Sequence, residues 1–131
     1  MQRMNYSSGA PLEDITGYSR MVKVGDHIYI GGTTAVQPDG TVAGDNPHDQ
    51  AAYIFSKCIA LLQQVQASAS DVIKVKAYLT DMAYAKDVAA AYSEHFKTVR
   101  PLFTMVETPK LNRRTQFVEI ELEAHIGCEL G

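Results

Sequence analysis

Residues 47–79 read PHDQAAYIFSKCIALLQQVQASASDVIKVKAYL, and the change of period inside this stretch decides the fold. Over residues 47–66 the apolar side chains Ala51, Ile54, Phe55, Cys58, Ile59, Leu62 and Val65 recur at steps of three and four. That spacing puts them on one face of a helix. Asn46 is suited to the N-cap, Pro47 to the first helical position and Asp49 to the acid-favouring first turn. Lys57, Gln63 and Gln64 fall off the apolar face. From Val72 to Leu79 the period becomes two, with Ile73, Val75, Ala77 and Leu79 on one side and Lys74, Lys76 and Tyr78 on the other. A helix with one broad apolar face has to lie on something, and strands are the partners at hand.

The same reading extends outward. Asp81 caps a second helix over residues 83–97, striped by Ala85, Val88, Ala89, Tyr92 and Phe96, and Pro101 blocks its continuation. Residues 102–106 read as a strand ended by Thr108-Pro109, and Asn112-Arg113-Arg114 as a polar connection. Residues 116–126 form the last strand, with Val118, Ile120, Leu122 and Ala124 on one face and Phe117, Glu119, Glu121, Glu123 and His125 on the other. Upstream, residues 18–24 and 27–30 are strands joined by a Gly25-Asp26 hairpin signal. Gly31-Gly32 ends the second of them, and two positions without a side chain imply close backbone approach to a neighbour or a ligand. Gln37-Pro38-Asp39-Gly40 is a turn by composition. The order strand, strand, helix, strand, helix, strand, strand predicts an α+β domain over residues 1–131, a mixed sheet with both helices on one face. Phe117, Tyr78 and Met105 are expected on the opposite face, which predicts that further copies of the chain cover it.

Composition removes several function classes. The chain has 131 residues, 46% hydrophobic and 21% charged, as expected of one soluble globular domain that folds without disulfide or metal staples. Twelve Lys+Arg against fifteen Asp+Glu give a net charge of −3, which argues against a nucleic-acid or anionic-membrane binder. No apolar run approaches the ~20 residues of a membrane span, and residues 1–6 carry no signal-peptide core. Cys58 and Cys128 fit no metal or redox spacing, Cys58 reads as a core filler, and a reducing cytoplasm is the expected compartment. His27, His48, His95 and His125 show no ligand spacing, so no metal is expected. GxSxG, P-loop and GxGxxG motifs are absent.

The candidate chemistry lies on the last strand. Glu119, Glu121 and Glu123 project to one side roughly 7 Å apart. Either one of them holds a water as base or orienting group, or they form a solvated face paired with Lys74, Lys76, Arg113 or Arg114. Tyr18 and Arg20 share a strand face, and Arg20 either clamps a ligand carboxylate or pairs with Glu13 or Asp14. Arg113-Arg114 is a solvated pair or an anion contact, and Ser7-Ser8-Gly9 reads as flexible composition.

Several segments, in order, resemble the RidA/YjgF family, also called endoribonuclease L-PSP. They are Gly17-Tyr18-Ser19-Arg20, Tyr29-Ile30-Gly31-Gly32-Thr33, Asp71-Val72-Ile73-Lys74-Val75 with Leu79-Thr80-Asp81-Met82, Arg100-Pro101 with Thr104-Met105-Val106-Glu107, and Val118-Glu119-Ile120-Glu121. The resemblance implies a chorismate-mutase-like fold and a homotrimer around a barrel-like centre, with small-molecule clefts between subunits. It also implies cofactor-free hydrolysis of reactive imines and enamines, with a Glu and main-chain groups positioning water and an Arg anchoring the substrate carboxylate. Tyr18, Gly32 and Glu119 match that pattern, and Gly31 stands where a serine is usual. The deaminating members read P-A-R-[ST]-C where this chain has Pro101-Leu102-Phe103-Thr104-Met105. Phe103 thus replaces the anchoring arginine, a loss of about 2–5 kcal/mol for a partly buried charge pair. The resemblance then points to a ligand-binding, arginine-less relative with a Phe103/Met105 wall suited to a carbonyl, imine or aromatic metabolite and with weak or absent imino-acid deamination. The alternatives are a deaminase anchored by Arg20 and, against the charge balance, an RNA-cleaving or translation-inhibiting protein.

Overall fold

In the computed structural model, which describes residues 1–129 and 131, Asn46 caps α2 (Pro47–Gln63) by accepting the Asp49 amide at 2.8 Å. The helix buries Ala51, Ile54, Phe55, Cys58, Leu61 and Leu62. Leu61 turns inward, whereas Ile59 is only partly buried. After a 3-10 turn (Ala69–Asp71) the chain enters β4 (Val72–Leu79). A second 3-10 turn, Met82–Tyr84, capped by Asp81, leads into α3 (Ala85–Phe96), which buries Val88, Ala91 and Phe96. The edge-to-face pair Phe55–Phe96, with centroids 5.3 Å apart, joins the two helices.

The remaining strands are β1 (Arg3–Tyr6), β2 (Met21–Val24), β3 (His27–Thr33), β5 (Leu102–Glu107) and β6 (Val118–His125), and a short helix, α1 (Pro11–Thr16), follows β1. The sheet runs β1-β2-β3-β6-β4-β5. Among the described residues only β4 and β5 pair in parallel, because α3 carries the chain back across the sheet between them. Val118, Ile120, Leu122 and Ala124 of β6 are buried under the helices, as their alternation predicts.

Four expectations are corrected. Ile73 does not share the inner face of β4: a register shift between Val72 and Lys74 inserts one residue against β6, so Val72 points inward and Ile73 is 38% exposed. The first hairpin strand begins at Met21, and residues 18–20 form the link from α1. Met105 pairs beside buried Ala77 and faces the helices, and Phe117 precedes β6 and packs on Tyr84 with centroids 5.5 Å apart. Tyr78 alone of the three lies among the outward residues of the open face. Finally, Ser7 and Ser8 are not loose: both hydroxyls and the Ser8 amide bond the buried carboxylate of Glu13. Burial pushes the Glu13 pKa up, and these hydrogen bonds outweigh it and leave it below the usual carboxylate range. Neither β1 nor α1 is marked by a clear apolar period, so the N-terminal hairpin extension escapes a pattern reading.

Candidate functional site

The open sheet face separates its three glutamates. Glu121 accepts from the Tyr78 hydroxyl at 3.0 Å. Glu123 lies 3.2 Å from His27 Nε2 and 4.0 Å from Lys74 Nζ. Among the described residues, Glu119 has no side-chain hydrogen bond and no ion pair. It is half-buried, and burial, helped by Glu121, pushes its pKa up while the Arg20 guanidinium opposes the shift. A solvated, paired face therefore describes Glu121 and Glu123, while Glu119 is the unpaired carboxylate that acid–base or water-holding work requires.

The end of β3 shapes the floor beneath it. The ladder with β6 shifts between Ile30 and Thr33, placing an extra residue at Gly31-Gly32. A Cβ on Gly32 would stand 2.9 Å from Glu119 Oε2, so the glycine makes room for the carboxylate. Arg20 Nη1 donates to the Gly32 carbonyl at 2.9 Å, and the Gly31 amide donates to the Arg20 carbonyl at 3.1 Å. Arg20 Nε is buried without a partner, and its guanidinium carbon lies 5.7 Å from the centroid of the Tyr18 ring. Arg20 makes no ion pair with Glu13 or Asp14 within 4.0 Å among the described residues. Tyr18, Arg20, Gly31, Gly32 and Glu119 thus form one neighbourhood.

Phe103, Thr104 and Met105 do not join it within one chain. Phe103 and Met105 pair beside Val75 and Ala77 on the helix side, while Thr104 pairs beside Lys76. β5 also lies two strands from β6, about 10 Å away at normal strand spacing. The Phe103 ring lies flat on Tyr92 of α3, with centroids 3.9 Å apart and planes 1° apart. Arg113 is turned away as well, donating to the Gly40 carbonyl at 2.5 Å.

Beside Glu119 opens a cavity of about 450 Å³ that includes Thr34, Tyr78, Lys110 and Asn112 in its lining. Pattern reading missed Thr34, Lys110 and Asn112 because loop residues carry no period. One signal was available: Gln50 is a fully buried amide on the apolar face of α2. It donates to the Gly44 and Thr115 carbonyls at 3.1 and 2.6 Å and accepts the Phe117 amide at 2.8 Å, holding the loop that leads to Glu119. No group of three or more metal-ligating side chains occurs among the described residues, and none of their helices is long and apolar enough to cross a membrane.

Residues 9–126 match the family described as endoribonuclease L-PSP. A RutC family protein of Pyrococcus abyssi is 31% identical over 120 residues, covering 91% of each chain. A mitochondrial protein of Saccharomyces cerevisiae is 24% identical over 106 residues, 81% of this chain and 71% of that protein. The structure of a Mycobacterium tuberculosis member of the YjgF/YER057c/UK114 family superposes with a TM-score of 0.87 at 30% identity, covering 95% of this chain and all of the other. Matched over nearly its whole length in sequence and in backbone, the chain belongs to the RidA/YjgF family and has its chorismate-mutase-like fold.

Proposed function

We propose that this protein is a homotrimer whose intersubunit clefts bind a small organic metabolite, with Glu119 as the acceptor or base and Tyr18, Gly31 and Gly32 around it. Phe103, Thr104 and Met105 come from the far edge of the sheet, so a neighbouring subunit has to supply them to the same cleft. Simple 2-imino acids are poor substrates in this reading, because no guanidinium stands at position 103. The observation that carries it is the stack of Phe103 on Tyr92: that site presents a packed aromatic ring with no charge for a carboxylate.

Arg20 supports the floor in this account and does not replace the anchor. Its Nη1 is engaged by the Gly32 carbonyl and its Nε is closed off from solvent. RNA cleavage, the activity in the family's description, finds little support in a chain with a net charge of −3. The two free thiols suit a reducing compartment such as the cytoplasm.

The test generates 2-aminoacrylate in situ and follows pyruvate release, with sedimentation of the same preparation. The expected result is a trimer that leaves the rate close to the uncatalysed one. Acceleration matching an arginine-bearing relative overturns the assignment of Phe103, and a monomer overturns the shared cleft.

A further inference from the structure

We infer that the loop between β5 and β6 builds an anion site of its own, apart from Glu119, and that this site takes a phosphate monoester carried on one small aromatic ring. It does not depend on the reading of Glu119 as the working carboxylate. A cavity of about 240 Å³ opens where the turn after β4 meets this loop, and Glu119 is not part of its lining. Its lining includes Lys110, Arg113 and Arg114 from the loop, together with Tyr84 and Phe117.

Charge selects the phosphoryl group. Residues 108–118 contain no Asp or Glu, and three of the chain's twelve Lys+Arg fall within residues 110–114. The chain as a whole carries a net charge of −3, so this is a local excess against the overall sign. No acidic side chain lines the cavity, and none of the three cations has a carboxylate within 4.0 Å among the described residues. A phosphate monoester brings about two negative charges at neutral pH and three acceptor oxygens, whereas a carboxylate brings one charge and two oxygens. Guanidinium forks also match phosphoryl oxygens in pairs. Of the two readings of Arg113-Arg114, a solvated pair or an anion contact, the geometry favours the second.

The loop is held before any ligand arrives. Gln116 is 3% exposed and lines the same cavity. Its Oε1 accepts the Arg113 amide at 3.1 Å, and its own amide donates to the Arg113 carbonyl at 3.1 Å. Buried Gln50 donates to the Thr115 carbonyl at 2.6 Å and accepts the Phe117 amide at 2.8 Å. Arg113 is steadied through Nη1 on the Gly40 carbonyl, which leaves its other nitrogens for a ligand. Arg114 makes no side-chain hydrogen bond or ion pair among the described residues. A loop fixed in this way spares the ligand the cost of ordering it.

The aromatic pair selects the rest of the molecule. Phe117 and Tyr84 meet edge to face with centroids 5.5 Å apart. The Phe117 carbonyl accepts the Thr80 amide at 3.0 Å, so its main chain is tied on both sides and its ring is held beside the cations. The cavity is a little smaller than the roughly 300–1,000 Å³ usual for drug-sized ligands, which suits one ring and one phosphoryl group. A polynucleotide needs a charged track along its backbone, and one pocket does not provide it.

The experiment titrates the wild-type protein calorimetrically with phenyl phosphate, with inorganic phosphate as the probe lacking the ring, benzoate as the probe with a ring and one charge, and a short oligouridylate as the polymeric source of phosphate. Phenyl phosphate is expected to bind most tightly. Arg114→Ala and Lys110→Ala are each expected to weaken it about tenfold. Backbone amide NMR shifts on adding phenyl phosphate are expected to centre on residues 110–117. No binding of phenyl phosphate, equal binding of benzoate, tighter binding of the oligouridylate, or a dissociation constant unmoved by both substitutions overturns the proposal. So do shifts centred on Gly31, Gly32 and Glu119. Pyruvate release reports the Phe103 reading without reference to these probes, so the two can fail separately.

Discussion

Arg20 donates from Nη1 to the carbonyl of Gly32 at 2.9 Å, and Gly32 lies directly against the carboxylate of Glu119. One guanidinium therefore fixes the backbone that makes room for Glu119 and also biases its charge. The link runs from a loop residue before β2, through the irregular end of β3, to Glu119 on β6.

Arg20→Gln removes the positive charge while keeping a donor near Gly32. Glu119 is expected to titrate at higher pH in the variant than in the wild type, followed by carboxyl-carbon NMR. The stability cost is expected to be about 1–2 kcal/mol, the scale of one charged hydrogen bond. An unchanged Glu119 titration would show that the guanidinium does not act on it.

Glu119→Gln is expected to stabilise the protein near neutral pH. Burial raises the folded-state pKa above the ordinary carboxylate value, so the protonated form is the one the fold favours. That stability is complete below the ordinary value of 4.5 and is lost as pH rises through the raised one. The variant's advantage in melting temperature should therefore be present at about pH 7 and shrink toward about pH 4. A variant that is less stable at neutral pH contradicts a strained, unpaired carboxylate.

Cys58 and Cys128 should react on different timescales. Burial pushes the Cys58 thiol up to about 12, and its side chain is fully enclosed under the sheet, whereas Cys128 is partly exposed. A thiol reagent is expected to modify Cys128 promptly and Cys58 only on unfolding, read by peptide mass spectrometry. Rapid labelling of Cys58 in the native protein would mean that the α2–sheet contact opens readily.

His48 joins the start of α2 to α3. Its Nδ1 lies 3.0 Å from Asp49 and its Nε2 lies 2.7 Å from Glu94, and the hydrogen bond to Asp49, then that to Glu94, raises its pKa above 6.5. The stabilisation is present below that value and fades as pH rises through the raised one. His48→Ala should lower the melting temperature at about pH 6 and have little effect at about pH 9, with the difference screened by salt. A difference that persists undiminished at the higher pH would assign the effect to packing.

The strong periodic elements were legible because their burial is one-sided. The alternation Val118, Ile120, Leu122, Ala124 and the stripe of Ala51, Ile54, Phe55, Cys58 and Leu62 each leave a single inner face, and each is buried as read. Ile73 escaped because a bulge changes which residues face inward without changing the sequence pattern around it. β1 and α1 escaped because strand pairing and the Ser7, Ser8 and Glu13 bonds hold them, and neither leaves an apolar period to read.

By itself the sequence determined the α+β class, the family through its ordered motifs, and the presence of Phe103 where the resemblance places an arginine. Local periodicity and residue identity carry that information, because each depends on neighbours within a turn or a strand. Tertiary structure alone decided that Glu119 has no partner among the described residues while Glu121 and Glu123 are engaged, that Arg20 is committed to Gly32, and that Phe103 turns toward Tyr92. Those relationships join residues up to about a hundred positions apart, and they are set by strand order, register and one bulge, which no local pattern of side chains encodes.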